Sequence, residues 1–211
     1  MSFEPFVDAA RRYYTDAFLR HGAVAAGVDW SDPASQNLRF EQLMRIVDHG
    51  GVFSVNDYGC GYGALAEWLA SHDRTFRYCG FDVSLPMLEH ARRAFSGRED
   101  VAFVDRLDAL PVSDYTVASG VFNVKQDADS TEWTEYVVDT IREMRVHSEA
   151  GLAFNMLTSY SDPERMRADL YYADPGFVFD LCKRELSRNV ALLHDYGLWE
   201  FTILVRLESL L

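Results

Sequence analysis

Two aspartates and three glycines carry the clearest chemical signal in this sequence. In VFSVNDYGCGYG, residues 52–63, an apolar run (Val52, Phe53, Val55) ends in Asp57, and Gly59, Gly61 and Gly63 follow at every second position. Ala64, Leu65, Trp68 and Leu69 then take up helical spacing, so the stretch reads as strand, glycine turn, helix. Glycines there let the backbone take positive φ and approach a ligand closely, and the helix that follows offers unpaired N–H groups. A nucleotide-bearing ligand suits this arrangement; the alternative is a tight strand-to-helix turn and nothing more. Asp82 ends a second predicted strand, Phe76 to Phe81, as Asp57 ends the first. A carboxylate at that tip can accept both hydroxyls of a ribose, against the alternative of a helix-capping or solvated aspartate.

Other residue types in the chain could do chemistry with less help from their spacing. His194, at the end of the sixth predicted strand, is suited to proton abstraction near neutral pH, although a lone histidine on a strand is also a common structural residue. Asn123, just past the fourth strand, could orient a hydroxyl, and Tyr160, Tyr171 or Tyr172 could close over a substrate. Gln36 and Arg39 lie away from the apolar face of their helix, where an arginine either holds a ligand carboxylate or is solvated. Asp162, Asp195 and Asn189 have no spacing that demands a magnesium ion, and no metal is expected.

Positioning these groups requires alternating elements. A helix over residues 4–20 carries Phe6, Ala10, Tyr13 and Ala17, and Asp32-Pro33 opens a second with Phe40, Leu43, Met44 and Val47. A glycine-rich loop, His21 to Ser31, joins them. Ser84 and Pro86 open the helix after Asp82. Val101 to Val104, ending in Asp105, reads as a third strand, and Tyr115 to Val121 as a fourth. A helix with Trp133, Val137, Thr140, Ile141 and Met144 precedes a fifth strand, Gly151 to Met156. In an open parallel sheet ligands bind across the carboxyl ends of the strands, so Asp57, Asp82, Asp105 and residues Ser119 to Asn123 should line one crevice. Residues 157–176 break the alternation and read either as a substrate-facing insertion or as a connecting loop with its tyrosines packed outside the core. After a helix from Asp174-Pro175, two strands joined by a short turn around Asp195 to Leu198 require antiparallel pairing.

Composition narrows the function classes. The 211 residues, 48% hydrophobic, suffice for one α/β domain with a sizeable core. A net charge of -13 argues against nucleic acid and against an anionic membrane surface as partners. Three cysteines without metal-ligand spacing suit a reducing compartment. The N-terminal MSFEPFVDAARRYY lacks a signal-peptide core and no stretch approaches a membrane span, so a cytoplasmic protein is expected.

These motifs resemble a known family. Asp57-Tyr58-Gly59-Cys60-Gly61-Tyr62-Gly63 is similar to the first motif of class I S-adenosylmethionine-dependent methyltransferases, and Phe81 to Arg92, FDVSLPMLEHAR, to the second. SGVFNV, FNMLTSYSD and LLHDYGLWEFTI are similar to a narrower group of small bacterial members. The resemblance implies one domain over 1–211, a Rossmann-like, mostly parallel seven-stranded sheet with the seventh strand between the fifth and sixth, and helices on both faces. Residues 1–50 would form an N-terminal helical cap. By position, Gly59, Gly61 and Gly63 would pass beneath the methionine part of S-adenosylmethionine, with Asp57 near its ammonium and Tyr58 among the cofactor-binding residues. Asp82 would hold the ribose, Val83 and Met87 would flank the adenine, Asp105 or its neighbour would meet its edge, and Ser119 and Gly120 would offer backbone contacts. Arg39 is the candidate for the carboxylate. The expected reaction is methyl transfer to oxygen or nitrogen of a small molecule, with S-adenosylhomocysteine as product and His194, Asn123 and Tyr160 as catalytic candidates. No Asn-Pro-Pro-Tyr type segment follows the fourth strand, which disfavours a nucleobase amine as acceptor. Two other readings stay open: a NAD-dependent oxidoreductase, since Gly59-x-Gly61-x-x-Ala64 also fits the dinucleotide fingerprint, and a non-catalytic cofactor-binding module.

Overall fold

The computed structural model describes residues 3–28, 30, 32–48, 50–72 and 74–208. Among them the strands are β1 (Phe53–Tyr58), β2 (Phe76–Phe81), β3 (Val101–Val104), β4 (Ser113–Ala118), β5 (Ser148–Leu157), β6 (Asn189–Leu193) and β7 (Glu200–Arg206). They form one sheet in the order β3-β2-β1-β4-β5-β7-β6. All pairs from β3 to β5 are parallel, while β7 runs antiparallel to both β5 and β6. The sheet is therefore the Rossmann-like, mostly parallel one expected, with its reversed strand between the fifth and sixth.

The helices are α1 (Glu4–His21), α2 (Pro33–Leu43), α3 (Ala64–Ser71), α4 (Leu85–Ala94), α5 (Ser130–Val146) and α6 (Pro175–Glu185). Aspartates cap three of them: Asp32, Asp129 and Asp174 each accept N–H groups of the first turn. Strand alternation sorts the core into two layers. Val55, Val117, Ala153 and Leu204 pack with Phe40 and Leu43 of α2, Leu65 and Leu69 of α3, and Leu88 of α4. Their neighbours Ala118, Leu152, Phe154, Ile203 and Val205 face the other way, against Trp133, Val137 and Ile141 of α5 and Val178 and Cys182 of α6. Helices thus cover both faces, and the continuous apolar strands are explained by burial on both sides.

One boundary differs from the expectation in a way that matters for function. β4 ends at Ala118, not Val121. Gly120 takes φ +74, and its N–H donates to the Asn155 side chain at 2.7 Å, so the chain leaves the sheet as a turn.

Helix α1 lies across the carboxyl ends of the strands. Phe3 and Phe6 at its start meet Tyr136 and Trp133 of α5, at ring-centroid distances of 5.7 and 5.6 Å. Near its other end Phe18 packs with Tyr62 and Met87, and Thr15 shares a 2.7 Å hydrogen bond with Ser84 at the start of α4. Eighteen residues span about 27 Å, enough to bridge from one face of the sheet to the other. No helix among the described residues is long and apolar enough to cross a membrane.

Candidate active site

The glycine turn after β1 is shaped by specific approaches. Gly59, Gly61 and Gly63 all have positive φ. The N–H groups of Gly59 and Cys60 both donate to the Phe81 carbonyl, at 2.8 and 3.0 Å, which ties the turn to the end of β2. A Cβ on Gly59 would sit 2.5 Å from Val121 Cγ2, so a side chain there would drive the turn away from the residues after β4. At Gly63 a Cβ would meet Phe103 and Phe95 instead. The third glycine therefore serves the close packing of α3 on the sheet.

Beneath α1 and at the β1/β4 switch in strand order lies a cavity of about 310 Å³. Gly59, Gly61, Asp82, Ser119 and Gly120 edge it; Phe81, Val83, Met87 and Leu107 form an apolar wall. Val7, Ala10, Arg11 and Tyr14 of α1 roof it, with Val28, Trp30, Tyr58 and Tyr136 at its sides. A smaller cavity of about 40 Å³ adjoins it, sharing Val28, Trp30, Gly59, Gly61 and Ser119 and reaching Asp57 and Gln36.

Two carboxylates face these spaces with different partners. Asp82 accepts the Gly61 N–H on Oδ2 and the Ser84 N–H on Oδ1, both at 2.8 Å, which fixes its plane and leaves lone pairs on each oxygen. Burial raises its pKa, and the bonds from Ser84 and Gly61 pull the other way. Asp57 is 3% exposed and has the Tyr78 hydroxyl at 2.7 Å on Oδ2. Burial lifts its pKa to about 7 despite that bond, with the Asp82 charge adding to the rise. Such a carboxylate gains from a cation at its free oxygen. Ser119 Oγ, at both cavities, and Nη1 of Arg39, which stacks on the cavity residue Trp30, are buried polar atoms with no hydrogen-bond partner among the described residues. Burial also pushes the Cys60 thiol well up, so the cysteine inside the turn is not poised as a nucleophile.

Residues 55–147 match the family described as "Methyltransferase domain". A Mycobacterium tuberculosis protein named "Putative methyltransferase Rv1506c" is 50% identical over 166 residues, which is 79% of this chain and 100% of that protein. The chain belongs to the class I S-adenosylmethionine-dependent methyltransferases. Similar solved structures include a Synechocystis magnesium protoporphyrin IX methyltransferase with bound S-adenosylmethionine, at 12% identity and a TM-score of 0.62, covering 96% of this chain and 97% of that one. A methyltransferase from Aquifex aeolicus matches at 15% identity and a TM-score of 0.59, over 84% of this chain and 94% of its own. As a class I methyltransferase the protein uses S-adenosylmethionine, and the oxidoreductase reading and the purely binding module fall away.

In this methyltransferase the sequence-predicted residues separate into those brought together and those kept apart. Tyr58, Gly59, Gly61, Asp82, Val83, Met87, Ser119 and Gly120 line the main cavity, and Asp57 the adjoining one. Asp105 does not: it is exposed beyond β3, and Leu107 occupies the wall where it was expected. Arg39 is neither solvated nor fully available, since its Nε and Nη2 bind both oxygens of Glu200 at 2.8 and 2.6 Å. The three catalytic candidates lie outside the cavity. Asn123 is buried, its Oδ1 accepting the Leu157 N–H at 3.1 Å, which joins the loop after β4 to the end of β5. His194 and Tyr160 are exposed and stand beside each other, ring centroids 6.0 Å apart, past the ends of β6 and β5. No residue of 157–176 lines the cavity. That segment is tied outside it by bridges from Thr158 to Ala173 and from Leu170 to Val124. Sequence reading missed Val7, Arg11, Tyr14, Trp30, Leu107 and Tyr136. A tryptophan in a glycine-rich loop ahead of a capped helix was the one available signal, because loop aromatics are used for binding more often than for packing.

Proposed function

We propose that this methyltransferase binds S-adenosylmethionine along the β1/β4 switch and transfers its methyl group to oxygen or nitrogen of a small acceptor that enters under α1. The observation that carries this reading is the sequence of chemistries around the two joined cavities. An apolar wall (Phe81, Val83, Met87, Leu107) suits a flat base; Asp82, with lone pairs left on both oxygens, suits a ribose diol. Asp57, in the smaller cavity, suits an ammonium, and Ser119 Oγ, at the border of both, suits the carboxylate on the same carbon, with Arg39 lining neither cavity and stacked on Trp30. Base, ribose and amino-acid groups are parts of the cofactor, and their order along the cavities is that of the molecule.

The sulfonium supplies an electrophilic methyl, so the protein's part is to align the acceptor and exclude water. Val7, Ala10 and Tyr14 of α1, with Val121 and Tyr136, supply a mostly apolar enclosure for that purpose, and Arg11 puts a guanidinium at its edge. No histidine is among the described lining residues, which supports catalysis by positioning over catalysis by a histidine base. In this reading residues 1–50 act as a cap over the site, and 157–176 act from outside the cavity. A roof closing over a space of this size favours a metabolite over a polymer, in line with a net charge of -13.

Calorimetric titration with S-adenosylmethionine, S-adenosylhomocysteine and NAD, repeated on Asp82→Ala, tests the cofactor half. The first two should bind the parent and bind the variant at least about tenfold more weakly, the loss of about 1.4 kcal/mol or more. Incubating labelled donor with a size-fractionated cell extract tests the acceptor half. Label found only in protein or nucleic acid would rule out the small acceptor.

A further inference from the structure

Glu200 lines neither of the two cavities; it is the first residue of β7 and is 2% exposed. A carboxylate there, at the head of the apolar strand EFTILV, must be held by partners, and its partners are informative. One oxygen pair takes both the Nε and Nη2 of Arg39 from α2. Oε2 also takes the Asn155 side-chain N–H from the centre of β5, at 3.2 Å. From Arg39 the guanidinium lies 3.8 Å over the Trp30 ring. From Asn155 the Oδ1 accepts the Gly120 N–H at 2.7 Å. Trp30 and Gly120 then meet: a Cβ on Gly120 would lie 2.4 Å from Trp30 Cζ2. The contacts close into a circuit, Glu200–Arg39–Trp30–Gly120–Asn155 and back to Glu200.

We infer that Glu200 is a positioning residue for the methyl-donor site, acting through this circuit on Trp30 and Gly120. Those two members line the main cavity, and Trp30 lines the smaller one as well. Each is held by one arm from the same carboxylate. The Arg39 arm orients the Trp30 ring, since a guanidinium stacks face-on and its plane is locked by the two bonds to Glu200. The Asn155 arm holds the positive-φ turn at Gly120 that lets the chain pass beside the ring. Two bonds to Glu200 also set which guanidinium nitrogen remains unpaired, so Arg39 offers Nη1 and no other. The inference rests on the cofactor location proposed above.

Glu200→Gln and Trp30→Ala, singly and together, test it by S-adenosylhomocysteine titration and by the indole N–H resonance of Trp30, assigned with Trp30→Phe. A glutamine cannot accept from both Arg39 nitrogens, because its NH₂ faces a donor. Expected are a shifted or broadened Trp30 resonance in unliganded Glu200→Gln and about tenfold weaker ligand binding in each single variant, with near-parent binding in Trp30→Phe. In the double variant the Glu200→Gln step should shrink to less than about threefold, the mark of two residues acting through one another. A folded Glu200→Gln with an unmoved Trp30 resonance, or a Glu200→Gln step undiminished in the double variant, would overturn the proposal. Should Glu200→Gln fail to fold, Trp30→Ala binding within about threefold of the parent overturns it alone. If the parent does not bind S-adenosylhomocysteine, the cofactor reading fails first, and the resonance shift still reports on the circuit.

Discussion

A carboxylate as buried as Asp57 is held near the edge of ionisation by its surroundings, and a bound ammonium would tip it. With a pKa of about 7, the group is mostly protonated at pH 6 and mostly ionised at pH 8. Because an α-amino group with a pKa of about 7.8 is itself partly neutral at pH 8, S-adenosylmethionine should bind only about fourfold more tightly at pH 8 than at pH 6, measured by titration, and Asp57→Asn should bind weakly without that rise. Stability should move the other way. The folded carboxyl holds its proton more tightly than the unfolded chain does, so this group's contribution falls as pH rises from 3.8 to about 7. That interval is worth about 4 kcal/mol at most, and Asp57→Asn, which keeps an acceptor for Tyr78, should melt higher than the parent at pH 8. A lower melting temperature there would refute the assignment of strain to this charge. At this scale the site was legible where its logic is local. Asp57, Asp82 and the glycines announce themselves by spacing within one βαβ unit. Arg39 did not, because its fate is decided by Glu200, 161 residues away. His194, Tyr160 and Asn123 have chemically suitable side chains, but only tertiary structure shows that none reaches the cavity.

Among the helices, α1 has the largest share in enclosing the site. It is docked at its ends by Phe3 and Phe6 against α5 and by Thr15 and Phe18 near α4, and its middle is tied by the Gln126 side chain, which donates to the Ala9 carbonyl at 2.9 Å, and by the Tyr14 hydroxyl, which donates to the Gly120 carbonyl at 3.4 Å. Its roof residues lie between these two anchors. Phe6→Ala should cost about 1–2 kcal/mol, below a full core truncation because the ring is only half-buried. The selective consequence is faster amide exchange along α1 with the sheet unchanged, together with weaker S-adenosylhomocysteine binding. Equal acceleration across β1 and β4 would show instead that α1 is part of the global folding unit. The helices and parallel strands could be read from periodicity, and the reversed last strand from the short turn before it. Where β4 stops was signalled only by Gly120, which takes φ +74 and whose N–H is held by the Asn155 side chain, so that Ser119 to Val121 leave the sheet.

For the whole molecule, charge balance sets a background against which every local ion pair acts. Thirty-three acids against 20 lysines and arginines leave 13 uncompensated negative charges on 211 residues. Several of the basic residues are committed to neighbours, as in Arg98 with Asp100, Arg142 with Glu185, and Arg167 with Asp169. These exposed pairs contribute little to stability and weaken with salt. The buried pair of Arg39 and Glu200 is screened far less, because it lies out of contact with solvent ions. Salt therefore has two opposed effects: it removes a few weak attractions and it damps the mutual repulsion of the excess acids. Repulsion grows with net charge while the pairs do not, so damping should win at -13. Raising ionic strength from about 0.01 M to about 0.3 M, where the Debye length falls from about 30 Å to under 10 Å, should raise the melting temperature by a few degrees at pH 8. The same change at pH 5, near the sequence pI of about 4.8, should have little effect or lower it slightly. A fall at pH 8 would mean that the surface pairs, and not the excess charge, govern the electrostatic stability of this fold.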